Sequence, residues 1–475
     1  MRLRGAGPAL AVLAGAFPPG ALAHAFGERY DLPAPLGYFV AGAAATVALS
    51  FAVAVVAVRR ARPRPDAARS IDAAALLAVL RAAVRCIALA LFLLVIAAGL
   101  WGDAHPAKNI APTLVWILGW VGLSLCVALV ANVWPAVDPW RTLHALLPAR
   151  EPRAWPAPWG SKPAVLLFLV FAWLEVVDPV ASRPAHIAGV LLAWTAVNLS
   201  GMRVFGREAW QANADPLAIY FETLGRFAPL AARDGRLVVR PWARALVEGT
   251  PPAPKAFVIA MLSTVLFDGL LGTQAWRKVD TAFSTWAPGW NDRDGVLLGT
   301  AGLLVTWAVF LAAYRGACAL TAAMAGVHAT SRVATLFAPT LVPIAVAYLV
   351  AHNLSYLLVQ GQGVVPLLSD PFGRGWNLFG TAGFTPDIGV IDAKKMWHIA
   401  TAAIVAGHVV AVWLAHRVAL AEWPTARGAV LASAPLTIVM VAYTAVSLTV
   451  IAEPLTRYRT PDPGYTVAPQ CDNKA

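Results

Sequence analysis

Tyr348, His352, Tyr356 and Gln360 recur every fourth residue inside "AYLVAHNLSYLLVQGQG", residues 347–363, so a helix there carries them on one slowly drifting face. An imidazole, two phenols and a carboxamide can orient a polar group and move protons to or from it. The stretch continues an apolar run that begins at Leu336. An ionisable ring in such a run is costly in hydrocarbon unless it faces a bundle interior or a wet cavity. His352 falls eight residues, roughly 12 Å of helix, from Gln360.

Other apolar runs place ionisable groups at comparable depth. His408, in "GHVVAVWLAH", comes ten residues after His398, roughly 15 Å along a helix. Asp268 in "LSTVLFDGL" and Glu175 in "FAWLEVVDP" sit towards the ends of their runs. Two imidazoles and a carboxylate can hold a divalent metal with a position left for water, whose pKa the metal lowers. On this reading His352 and His408 are metal ligands, and Asp268 and Glu175 act as ligand or general base. Tyr348, Tyr356 and Gln360 then contact the substrate. His24 follows "ALA" at 21–23, and as a mature N-terminus it offers an amine and an imidazole to a metal. The same groups suit a proton relay or an ion pathway. Plainer roles compete residue by residue: an interhelical hydrogen bond for His352, a helix strut for Asp268, a solvated rim for His105 and His398. No H-E-x-x-H, G-x-S-x-G or phosphate-loop motif occurs, and the four cysteines make no C-x-x-C.

Positioning these groups requires a membrane bundle. Of 475 residues 59% are apolar and 13% charged, with a mean hydropathy of +0.65; soluble domains carry about twice that charge. The fold class is therefore all-α, a polytopic helical bundle partnered by the lipid bilayer. Runs of about 20 apolar residues lie near 36–58, 80–101, 112–134, 163–181, 185–205, 255–275, 294–324, 334–360, 396–416 and 430–451, which predicts ten spans. Residues 1–23 read as a secretory signal peptide, 24–451 as the membrane domain and 452–475 as an external tail.

The net charge of +12 comes from arginines clustered between runs, as in "RRARPRPDAAR" at 59–69, in 135–162 and in 206–254. That is the positive-inside pattern, so the basicity marks topology and not nucleic-acid binding. It predicts an inner-membrane protein with 206–254 in the cytoplasm. Loops 102–111, 276–293 and 361–395, and the site, then face the periplasm or exterior. Within 206–254, "WQANADPLAIYFETLGRFAPL" predicts an amphipathic helix along the membrane face. The nineteen tryptophans fit interfacial belts, and those near the outer mouth can receive an aromatic substrate.

Ordered blocks of the chain resemble a bacterial family of multi-pass membrane proteins named fenitrothion hydrolases. They are "HAFGERYDLPAPLGYFVAGAAATVALSF", "NIAPTLVWILGWVGLSL", "GREAW", "LSTVLFDGL", "LVPIAVAYLVAHNLSYLLVQGQ", "SDPFGRGWNLFGT" and "GHVVAVWLAH", spanning His24 to about Arg417. The resemblance implies hydrolysis of a small lipophilic ester, an aryl dialkyl thiophosphate, at the P–O–aryl bond. It brings no residue-level assignment of the site. Asn353, where the pattern suggests an aromatic residue, and Asn377, where it suggests aspartate, bear on substrate range. The alternative function is a transporter or metal-handling protein that uses the same cavity.

Overall fold

A computed structural model describes residues 30–57, 69–247, 254–290, 292, 294–326, 329–423 and 425–457. The expected signal peptide, His24, His328 and the tail beyond 457 lie outside the described residues. The architecture is an all-α membrane-type bundle. Among the described residues eight helices are long and apolar enough to cross a membrane, and up to nine if one bent pair counts as a span. That corrects the expected ten. The run near 163–181 gives the helix Lys162–Val176, only 15 residues or about 22 Å, shorter than a hydrocarbon core of about 30 Å. The run near 255–275 becomes Lys255–Leu271, which breaks at Gly272 and turns by 77° into Gln274–Trp286. Thr273 caps the second helix by accepting the amide N–H of Trp276. "QAWRKVDTAFSTW", expected as loop, is thus an exposed amphipathic helix set across the bundle.

Helix starts follow from capping chemistry. Asp138 caps Pro139–Ala145, Asp215 caps Pro216–Gly225 and Asp392 caps the long helix Ala393–Glu422, each carboxylate taking a first-turn N–H. The segment Thr330–Ser369 forms the buried pillar, and Ala393–Glu422 and Ala426–Leu455 pack beside it. Gly407 sits so close to Pro343 and Ala347 that an added Cβ would lie 2.4 Å from the Ala347 methyl. This is where the two helices touch, and only glycine fits.

One span is irregular. Within Ile110–Leu129 the ten residues Thr113–Gly122 wind as a π-helix, closed by the amide of Leu123 donating to Leu118. Such stretches are rare and tend to occur at functional sites.

Contacts sort the connections onto two ends. Asp103 and Ile110 donate to the carbonyls of Phe372 and Pro371, Tyr30 lies 5.9 Å from the His398 ring, and Glu453 accepts from Gln274. Loops 102–111 and 361–392 and the start of Gln274–Trp286 therefore share the Gln360 end. There the strands Tyr30–Asp31 and Thr456–Arg457 pair in parallel. At the opposite, arginine-rich end, Arg69–Asp72, Arg236–Val239 and Leu230–Arg233 form a three-stranded antiparallel sheet.

The segment expected to lie along the membrane face does otherwise. It splits into Arg207–Asn213 and Pro216–Gly225, and the second helix is buried within the bundle. Tyr220 lies 4.6 Å from the Trp120 ring, and Phe221 stacks on Trp134 at 4.6 Å. Its apolar residues cover both faces, so tryptophans from neighbouring helices enclose it where lipid would have covered one side.

Candidate functional site

Three helices bring the central polar group together. Asp268, three residues before the end of Lys255–Leu271, lies opposite His352 of Val342–Gln360, with the ring Nε2 2.8 Å from the carboxylate Oδ2. His352 is 4% exposed, whereas the Asp268 side chain keeps 31%. The carboxylate is thus the accessible member of the pair and the imidazole the buried one.

Tyr348, one turn from His352, lays its ring 5.8 Å from the imidazole. Its hydroxyl reaches the Gly269 backbone so closely that a Cβ there would lie 2.3 Å away. That hydroxyl is buried and has no hydrogen-bond partner. An unsatisfied buried hydroxyl costs about 1–3 kcal/mol, so its retention beside an ionisable pair points to a role. Glu175 and Tyr356 lie within electrostatic range of the same cluster, Glu175 facing Asp268 and Tyr356 facing both carboxylates. Trp120, on the π-helical stretch, offers its indole to Glu175. The structure therefore joins Asp268, His352, Tyr348, Tyr356 and Glu175. Gln360 stands two turns away on the same helix, roughly 12 Å from His352.

His408 belongs to a neighbouring layer. It is 1% exposed, its Nδ1 is shared with the Ile404 carbonyl at 2.8 Å, and its ring lies 5.7 Å from Tyr443. Gly407 packs at the level of Ala347, five residues or about 7.5 Å below His352. Tyr348 and Tyr443 stand in electrostatic contact between the two histidines. His408 Nε2 is buried without a partner in that layer, and the buried Ser447 Oγ stands beside the Tyr443 hydroxyl. Among the described residues no three His, Cys, Asp or Glu side chains come together as a metal's donor set. His352 and Asp268 are already bonded to each other, and His408, the other expected ligand, is turned to its own helix in the neighbouring layer.

Sequence reasoning passed over Trp120 and Tyr443. It also passed over a second pair, Asp178 and His186, whose Oδ2 and Nε2 approach to 2.6 Å as an ion contact without hydrogen-bond alignment. His186 edges an apolar cavity of about 390 Å³ between the π-helical span and the helices Ala74–Trp101 and Pro184–Phe205. Phe92, Trp116, Trp120, Trp140, Trp194 and Phe221 line it. Trp120 borders this cavity and also meets Glu175, so it links the aromatic space with the polar cluster.

Two carboxylates are also buried at the arginine-rich end. Asp138 accepts from the Arg141 amide at 3.0 Å and from Gln211 Nε2 at 2.7 Å. Asp215 accepts from the amides of Leu217 and Ala218 through Oδ1, while its Oδ2 is buried and unpartnered. Burial pushes the Asp138 carboxyl up to about 6. Burial, reinforced by Asp138, pushes Asp215 up to about 7.

Comparison with protein-family models, curated proteins and solved structures finds no match to this chain.

Proposed function

We propose that the chain is a membrane-embedded hydrolase of small lipophilic esters, of the aryl phosphotriester or phosphorothioate class, with Asp268 as general base and His352 as its positioning partner. The observation that carries this reading is the Asp268–His352 contact at 2.8 Å, with the carboxylate accessible and the imidazole behind it. Asp268 takes a proton from water as the water oxygen forms its bond to phosphorus. The P–O–aryl bond breaks, and the aryl oxide leaves as a phenol once it has taken a proton. His352 holds the carboxylate in place and shares the charge that the proton transfer moves. The Tyr348 hydroxyl, with no partner of its own, is placed to donate to developing negative charge. The arginine asymmetry supports placing the Gln360 end on the periplasmic or external side of the inner membrane.

A second reading has its own observation. Tyr348 hydroxyl and His408 Nε2 are buried, unpartnered polar atoms on two packed helices, and Ser447 of a third helix stands beside Tyr443. Such a row suits water-filled proton transfer in a transporter. One experiment separates the two. The protein purified in detergent is given a nitrophenyl phosphotriester, and release of nitrophenol is followed with and without a chelator. Turnover that Asp268→Asn abolishes supports the hydrolase. No turnover in detergent, with proton-coupled flux in sealed vesicles, replaces it with the transporter.

A further inference from the structure

Arginines outnumber acids beside the Trp140 end of the aromatic cavity. Trp140 lies 5.9 Å from Phe92 and donates its indole N–H to Thr195 Oγ1 at 2.9 Å, which closes the cavity on that side. Arg141 follows Trp140 in the same short helix, and Arg85 lies seven residues, about 10 Å, along the helix from Phe92. Arg81, Arg85 and Arg207 all repel Arg141, and Arg203 and Arg207 repel His144. Few acids face them. Asp138 attracts Arg141 but is itself engaged by Gln211 and the Arg141 amide, and Glu208 meets Arg207 only at 3.7 Å from an exposed position. The Nε of Arg207 is buried with no hydrogen-bond partner. In the cavity itself, the buried indole N–H groups of Trp134 and Trp194 also lack acceptors. Repelling guanidiniums with a buried free donor call for an anion, and an apolar trough leading away from them calls for a hydrocarbon chain.

We infer that this face binds an anionic phospholipid, with its phosphate among Arg85, Arg141 and Arg207 and an acyl chain in the cavity lined by Phe92, Trp140 and Trp194. A cavity of about 390 Å³ falls within the range of small-ligand sites. Basic pockets between helices at one membrane face are suited to lipid headgroups. Soluble phosphate satisfies only the guanidiniums, and a zwitterionic lipid brings a cation into their midst, so both fit less well.

The test is native mass spectrometry of the detergent-purified full chain with equal amounts of phosphatidylglycerol and phosphatidylcholine of identical chains. The expected result is a preference for phosphatidylglycerol on the order of tenfold. Arg85→Gln with Arg207→Gln collapses it, and the corresponding lysine pair restores it in part. Arg81→Gln, at an exposed position one turn from Arg85, lowers it and serves if the double variant fails to fold. Equal binding of the two lipids overturns the proposal, as does a preference that survives all the glutamine variants. Displacement of the lipid by millimolar inorganic phosphate also overturns it, by making the site one for a free anion.

Discussion

The Nε2 of His352 and the Oδ2 of Asp268 meet at 2.8 Å across 84 residues of chain, joining two buried helices at one level of the bundle. Because only the carboxylate is accessible, substitutions at the two positions should differ in kind. Asp268→Asn keeps the shape and removes the base, so turnover of a nitrophenyl phosphotriester should fall by about 10²–10⁴-fold with little change in KM. His352→Gln keeps a donor towards Asp268 and should lose less than His352→Ala. Steady-state kinetics on the three variants checks the order, and equal losses for Gln and Ala at 352 would contradict a positioning role.

His408 supplies the contrast. Its ring packs on Tyr443 about a turn and a half below the pair, and its Nδ1 is taken up by its own helix. His408→Gln should therefore leave turnover within roughly tenfold of the parent, well above His352→Ala. A loss as deep as that of His352→Ala would show that the two rings act as one unit.

Glycines at two contacts make the geometry testable without touching a polar group. Gly269→Ala should displace the Tyr348 hydroxyl, since the new Cβ would lie 2.3 Å from it, and should cost activity in proportion to Tyr348→Phe. Gly407→Ala should force apart the helices Val342–Gln360 and Ala393–Glu422 and destabilise the protein by about 1–3 kcal/mol. Thermal melting in detergent reads the second, and kinetics at a temperature below the melt reads the first.

The buried carboxylates Asp138 and Asp215 set a pH dependence of stability. Both are raised from an ordinary 3.8, to about 6 and about 7, chiefly by burial. The folded protein then holds protons that the unfolded chain has already released. Unfolding releases protons between about pH 4 and 7, so stability should fall as pH rises through that window and level off above it. Asp215→Asn keeps a good helix cap and removes one charge. It should raise the melting temperature by a few degrees at pH 8 and leave it nearly unchanged at pH 3.5, below the ordinary carboxyl value of 3.8. A melt that rises equally at both pH values would contradict this account.

The periodicity of "AYLVAHNLSYLLVQGQG" made the shared face of Tyr348, His352 and Tyr356 legible, and its depth in an apolar run pointed to Asp268 and Glu175. Periodicity gives the face of one helix but not its rotation against the next. His408 therefore turns towards Tyr443, while the close contact of Gly407 with Ala347 fixes it at a deeper level. Trp120 was hidden among nineteen tryptophans, and nothing in "TLVWILGWVG" marks the wider winding that carries it. The helix Pro216–Gly225 was misplaced for a similar reason. Its apolar residues read the same whether lipid or Trp120 and Trp134 cover them.

The parallel pairing of Tyr30–Asp31 with Thr456–Arg457 fastens the beginning of the bundle to its close. The chain is in effect a ring clasped by a short ladder. Joining those two points covalently and opening the polypeptide in the exposed stretch 374–390 should give a circular permutant that keeps every helix neighbour. Reporter domains inserted just before Tyr30 and just after Arg457 should also emerge in one and the same compartment.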